Sequence, residues 1–196
     1  MRLITIIAAM IFMLGSQAHA IVIGNDAIDR GDADGRNNFA IAMGSDIFPD
    51  GQIEEWSVFV QSVSTFGTNT VALLILEDQG ANQWEVVATD YQVVVQGLNT
   101  FNVAIQVSSG QVLGAFMSNA RVSVLNQNGI GIPATVDQTF SLGTQPGMGT
   151  LLFGANNDLQ RLYSLNARLV PLPASGFLLL GAMAGLVWIR RRNATA

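Results

Sequence analysis

Glu55-Trp56-Ser57-Val58-Phe59-Val60-Gln61-Ser62-Val63 alternates, so that an extended backbone sets Trp56, Val58 and Val60 on one face. A period of two over nine residues predicts a half-buried β-strand. The pattern recurs on either side of it. Residues 71–76 (VALLIL) form a continuous apolar run, which predicts a strand buried on both faces. Residues 100–107 alternate with Phe101, Val103, Ile105 and Val107 together, and residues 161–169 set Tyr163, Leu165, Ala167 and Leu169 against Leu162, Ser164, Asn166 and Arg168. Shorter runs at 39–43, 84–95, 111–117, 121–125 and 150–153 bring the expected total to about eight strands. Turn signals separate them at 48–51, 77–82, 96–99 and 108–110, where Asp50-Gly51 predicts a positive φ and Gly114 marks a bulge or a close contact. No amphipathic helical period intervenes. The expected fold is all-β, an antiparallel β-sandwich, jelly-roll-like in first place and immunoglobulin-like in second.

The ends read differently from this middle. Residues 1–20 carry one positive charge at Arg2, an apolar run and the small-residue site Ala18-His19-Ala20, which is the pattern of a secretory signal peptide cut before Ile21. Residues 174–189 (ASGFLLLGAMAGLVWI) hold no charge and are followed by Arg190-Arg191-Arg192, which predicts a C-terminal transmembrane helix with cytoplasmic arginines. The expected organisation is therefore signal peptide 1–20, β-sandwich ectodomain 21–169, membrane segment 170–192 and a short cytoplasmic tail 193–196.

The order of parts at the C-terminus is also a motif. Val170-Pro171-Leu172-Pro173-Ala174, then a small-residue-rich apolar helix, then Arg190, Arg191 and Arg192, resembles a PEP-CTERM-type sorting signal in its VPLPA variant. The resemblance implies handling by the secretion translocon and signal peptidase, and transient anchoring in the membrane. It also implies processing near the proline motif by an exosortase- or archaeosortase-type membrane protease. Leu172 stands where the family often has glutamate, a departure that bears on which protease matches. The setting it implies is the cell surface or extracellular matrix, with exopolysaccharide or biofilm as the partner. The upstream pattern around Gly24, Trp56, Gly97–Phe101 and Val107–Gly114 is similar to uncharacterised β-sandwich domains that commonly precede such tails, and no activity comes with that likeness.

Composition excludes several functions. The chain has no lysine and no cysteine, and its one histidine, His19, lies in the signal peptide. Residues 21–169 hold all 14 Asp and Glu against five arginines, a net charge near −9. Such a balance repels phosphate backbones, so nucleic acid is not an expected partner. Without histidine or cysteine the ectodomain cannot build a Ser-His-Asp triad, a Cys-His dyad or the usual zinc site, and it has no disulfide to staple it. Carboxylate pairs are the only acid–base chemistry left. Glu54, Glu55, Glu85 and Asp90 are the acids that a remote glycoside-hydrolase reading would need, and the expectation is a non-catalytic protein.

Two binding features stand out. Asp32-Ala33-Asp34-Gly35-Arg36-Asn37 offers oxygens at alternating positions around a glycine, the pattern of a calcium loop with Asp32, Asp34 and Asn37 as ligands. The same aspartates equally suit turn caps in a solvated N-terminal segment. Trp84, between Gln83 and Glu85 beside a polar loop, is the candidate for stacking on a glycan, with packing as its other role. A calcium-assisted carbohydrate-binding module is thus the alternative to a structural matrix protein.

Overall fold

Strand follows strand through the described part of the chain, and the reason is the alternation itself: each strand has one apolar face to hide, and two sheets hide them against each other. The structure is a computed structural model and describes residues 19–34, 36–81, 83–126, 137–153, 156–157 and 161–171. Residues Ala20–Val170 form one compact unit. The second unit, Met1–His19 with Pro171–Ala196, lies almost wholly outside the described residues, and with it the expected signal peptide and transmembrane helix. Among the described residues no helix is long and apolar enough to cross a membrane.

The chain is all-β, with fourteen described strands in two antiparallel seven-stranded sheets. The first sheet holds β1 (Ile21–Gly24), β2 (Asp32–Ala33), β4 (Gly51–Val63), β7 (Gly97–Val107), β9 (Ala120–Asn126), β13 (Arg161–Tyr163) and β14 (Leu165–Pro171). The second runs β11 (Leu151–Phe153), β6 (Gln83–Val93), β5 (Thr70–Gly80), β8 (Val112–Ser118), β3 (Phe39–Ile47), β10 (Asp137–Ser141), β12 (Asn156–Asn157) in spatial order. Pairing is nested: β5 with β6, β4 with β7, β3 with β8, and β2 with β9.

The core between the sheets takes Trp56, Val58 and Val60 from β4, Val122 and Val124 from β9, and Tyr163, Leu165, Ala167 and Leu169 from the last strands. Opposite them stand Phe39, Ile41 and Met43 of β3, Val71, Leu73 and Ile75 of β5, and Leu113, Ala115 and Met117 of β8. The other face of the second sheet forms its own apolar cluster, with Ala72, Leu74, Leu76, Val86, Phe116 and Phe140 all buried. That is why residues 71–76 are apolar at every position.

Some local expectations are corrected. The polar stretch at 77–82 continues β5 to Gly80, and the hairpin closes through positive φ at Gly80 and Ala81. Gly51 does not have a positive φ; it is glycine because a Cβ there would meet the Val170 carbonyl oxygen at 2.8 Å. Gly114 is a close-contact site, since its Cβ would lie 2.7 Å from the Ile41 carbonyl oxygen. The single last strand expected at 161–169 is broken at Ser164 into β13, beside β9, and β14, on the path beside β4. Strands β1, β2, β10 and β12 were not expected, because runs of two to five residues are too short to display a two-residue period.

Candidate functional site

The break at Ser164 organises the polar centre of the molecule. Ser164 donates its N–H to the Ser123 carbonyl on β9 and accepts from the Phe59 N–H on β4, so one residue stitches three strands. Both serine side chains are buried and serve Arg30: its N–H donates to Ser123 Oγ and its Nε to Ser164 Oγ, each at 2.8 Å. Burial pulls the Arg30 guanidinium below its ordinary pKa, partly offset by the Asp26 charge.

Beside this knot lies Asp34, whose side chain is 1% exposed. Its Oδ2 accepts from Arg161 Nη1 at 2.7 Å and from the Tyr163 hydroxyl at 2.6 Å. Its Oδ1 accepts from the Arg36 N–H at 3.1 Å and from Arg36 Nε at 3.3 Å. The three-residue spacing Arg161-x-Tyr163 puts two donors on β13, which pairs with the stretch of β9 next to β2. Burial first, and the adjacent Asp34 carboxylate second, raise the Tyr163 phenol far above its ordinary value, so it stays a neutral donor.

The proposed calcium ligands are thereby given separate places. Asp34 faces cationic and hydroxyl donors with both oxygens. Asp32 lies on β2, exposed, opposite Val124. Asn37 turns away toward the β8–β9 connection, where its Oδ1 accepts from the Asn38 and Asn119 N–H groups. No three carboxylate or imidazole side chains stand together in a metal-holding group among the described residues. Trp84 is 7% exposed, packed with Val86, Phe116 and Leu152, so its indole offers a glycan little surface. Of the four acids, Asp90 accepts from the Trp56 indole N–H at 2.8 Å, Glu85 from Gln79, and Glu54 and Glu55 share Arg168. The sorting residues Leu172–Ala174 and Arg190–Arg192 lie outside the described residues, whereas Val170 and Pro171 end β14.

One concave surface borders the Asp34 centre, and sequence reading missed it. A cleft of about 300 Å³ is lined by Arg36, Asn37, Ser62, Val63, Ser64, Asn119, Ala120 and Arg121. Its parts come from well-separated stretches between Arg36 and Arg121, brought together by the β4–β9 register that opposes Ser62 to Arg121 and Val63 to Ala120. Hydrogen bonds link its wall: the Asn37 amide donates to Asn119 Oδ1, and Asn119 in turn donates to the Thr68 carbonyl. Only the mismatch of two arginines with an acidic chain could have signalled it.

Comparison with known proteins adds no relative: no family model matches the chain, and no curated protein or solved structure matches it.

Proposed function

We propose that this chain is an exported, non-catalytic surface or matrix protein, released from a transient membrane anchor by an exosortase-type protease. One observation carries the reading. Strand β1 begins at Ile21, the residue left by the expected signal cleavage, and pairs antiparallel with β14, Ile21 opposite Leu169. The N-terminus left by that cleavage is thus taken up into the sheet beside the strand that leads to the C-terminal motif, which suits a domain that keeps its fold once the flanking segments are removed. Val170 and Pro171 are part of β14, with the Val170 carbonyl against Gly51, so the first two residues of the motif belong to the last strand of the sandwich.

The finer fold reading is a jelly roll. It is supported by the four nested pairs, which place β2-β9-β4-β7 side by side in one sheet and β3-β8-β5-β6 in the other. Jelly rolls serve many functions, so the fold adds nothing on the ligand.

The test is delivery. In the producing cell the parent chain is expected to be recovered outside the membrane with its C-terminus trimmed near residues 171–174, read by mass spectrometry of the intact protein. Arg190→Glu/Arg191→Glu/Arg192→Glu should leave it membrane-bound and untrimmed. Unchanged release of that variant overturns the sorting reading.

A further inference from the structure

We propose that this chain forms a symmetric dimer, in which β7 of one copy pairs antiparallel with β7 of a second copy.

Length singles out this edge. Five other strands have one neighbour each among the described residues, and all are short: β1 has four residues, β11 and β13 three, β2 and β12 two. Short edges are one way in which folded chains avoid pairing with each other. β7 runs for eleven residues and pairs, among the described residues, with β4 alone. Every second residue along it therefore turns its N–H and C=O away from β4. An extra residue at Val103–Ala104 bends the strand, where Ile53 and Glu55 face Ile105 and Asn102. Ahead of that bend, residues 97–102 keep an unbroken register with β4 and offer a regular edge. The core is also unfinished on this side. Phe101, Val103 and Ile105 of β7 pack against it only partly buried, as do Val87 and Ala88 of the preceding strand β6. On central β4, by contrast, Trp56, Val58 and Val60 are fully buried. A strand added beyond β7 would cover what these side chains leave exposed.

Charge selects the partner. Residues 21–169 hold all 14 acids against five arginines, yet residues 91–120 hold no charged side chain at all. Two copies, each near −9, repel over most of their surface, and a neutral strand is where they can meet. A cationic partner would be drawn to the acids elsewhere. The outward side chains Leu98, Thr100, Asn102, Ala104 and Gln106 are exposed and uncharged, and residues 97–107 contain no proline. Neither of those devices for blunting an edge is present on the strand. Antiparallel pairing about a two-fold axis lets the same residues serve both sides, so one strand is a complete interface.

The experiment uses the full chain expressed in the producing cell and purified in the form the cell yields. Sedimentation velocity over a concentration series is expected to show a monomer–dimer equilibrium. Raising NaCl from about 0.05 M to about 0.5 M should shift it toward dimer, by screening the repulsion between two acidic copies. Thr100→Asp sets like charges close together across the axis and should weaken the dimer about tenfold or more. Thr65→Asp, in the β4–β5 connection, adds the same charge elsewhere and should leave the dimer unchanged. Both positions are exposed, so the variants should keep the parent's Tm. The chain has no cysteine, so single substitutions report proximity directly. On mild oxidation at least one of Leu98→Cys, Thr100→Cys and Asn102→Cys should give a disulfide-linked dimer, and Thr65→Cys none. A monomer at every concentration and salt, a dimer that Thr100→Asp weakens no more than Thr65→Asp, or no disulfide from any of the three β7 cysteines would overturn the proposal. A complex containing a different protein in place of the second copy, read by intact mass, would do the same.

Discussion

Strand β5 and the corner around Asp34 are both buried, and opposite chemistry buries them. Residues 71–76 of β5 use hydrocarbon on both faces, Val71, Leu73 and Ile75 toward the first sheet and Ala72, Leu74 and Leu76 away from it. The corner instead buries a carboxylate and satisfies it with two guanidiniums, a backbone N–H and a phenol. Hydrocarbon packing is additive and tolerant, because each methylene contributes on its own. A buried charge cluster depends on completeness, because one missing partner leaves the others desolvated without compensation. The two regions should therefore respond differently to the loss of one side chain.

The largest effect is expected at the corner. Asp34→Ala should destabilise the protein by about 4 kcal/mol in urea unfolding, since it removes the buried acceptor that Arg36, Arg161 and the Tyr163 hydroxyl share. Adding Arg161→Ala should cost less than it does alone, a coupling that a double-mutant cycle measures directly. Additive losses would mean that solvent already screens this pair, Arg161 being 27% exposed, and would erase the contrast with β5.

Next comes the test of β5 itself. Leu73→Ala and Leu74→Ala face opposite ways, and both side chains are fully buried. Each should cost about 3 kcal/mol by the same unfolding assay. Equal losses establish two working apolar faces on the second sheet. A loss under about 0.5 kcal/mol for Leu74→Ala alone would reduce its outward face to a surface.

The same contrast explains what was legible in the sequence. An apolar face leaves a local periodic trace, so β4, β5 and β7 were readable, and so was the inward set Tyr163, Leu165, Ala167 and Leu169. The run at 71–76 even signalled its double burial. The Asp34 cluster joins residues 127 and 129 apart in sequence, and nothing local marks Arg161 or Tyr163 as its donors. Alternating oxygens at Asp32, Asp34 and Asn37 have the same spacing whether they surround an ion or point three ways, and only β2 pairing with β9 separates them. Trp84 likewise left two roles open: its polar neighbours Gln83 and Glu85 flank it along the strand, while burial is decided across it, by Leu152 on β11. The cleft at Arg121 needed the β4–β9 register, which a bulge between Val60 and Ser62 sets.

A third kind of site lies between the two extremes, a carboxylate partly withdrawn from water whose pKa is shifted by burial alone. Asp46 sits in the irregular end of β3, where the register with β8 shifts between Met43 and Ile47. Partial burial raises its carboxyl pKa above the ordinary 3.8. The folded state therefore holds this proton at pH values where the unfolded chain has released it. Stability from the neutral form is fully present below the unfolded value and is lost as pH rises through the folded one. Asp46→Asn keeps the shape and removes the ionisation, so it should raise stability slightly at pH 7, by under about 0.5 kcal/mol for a partly buried side chain. The gain should vanish below pH ~4, and a urea series across pH reads it. A gain that persists in acid would assign the effect to packing at the bulge, and a loss at neutral pH would show that the Asp46 carboxylate is compensated after all, a small-scale copy of Asp34.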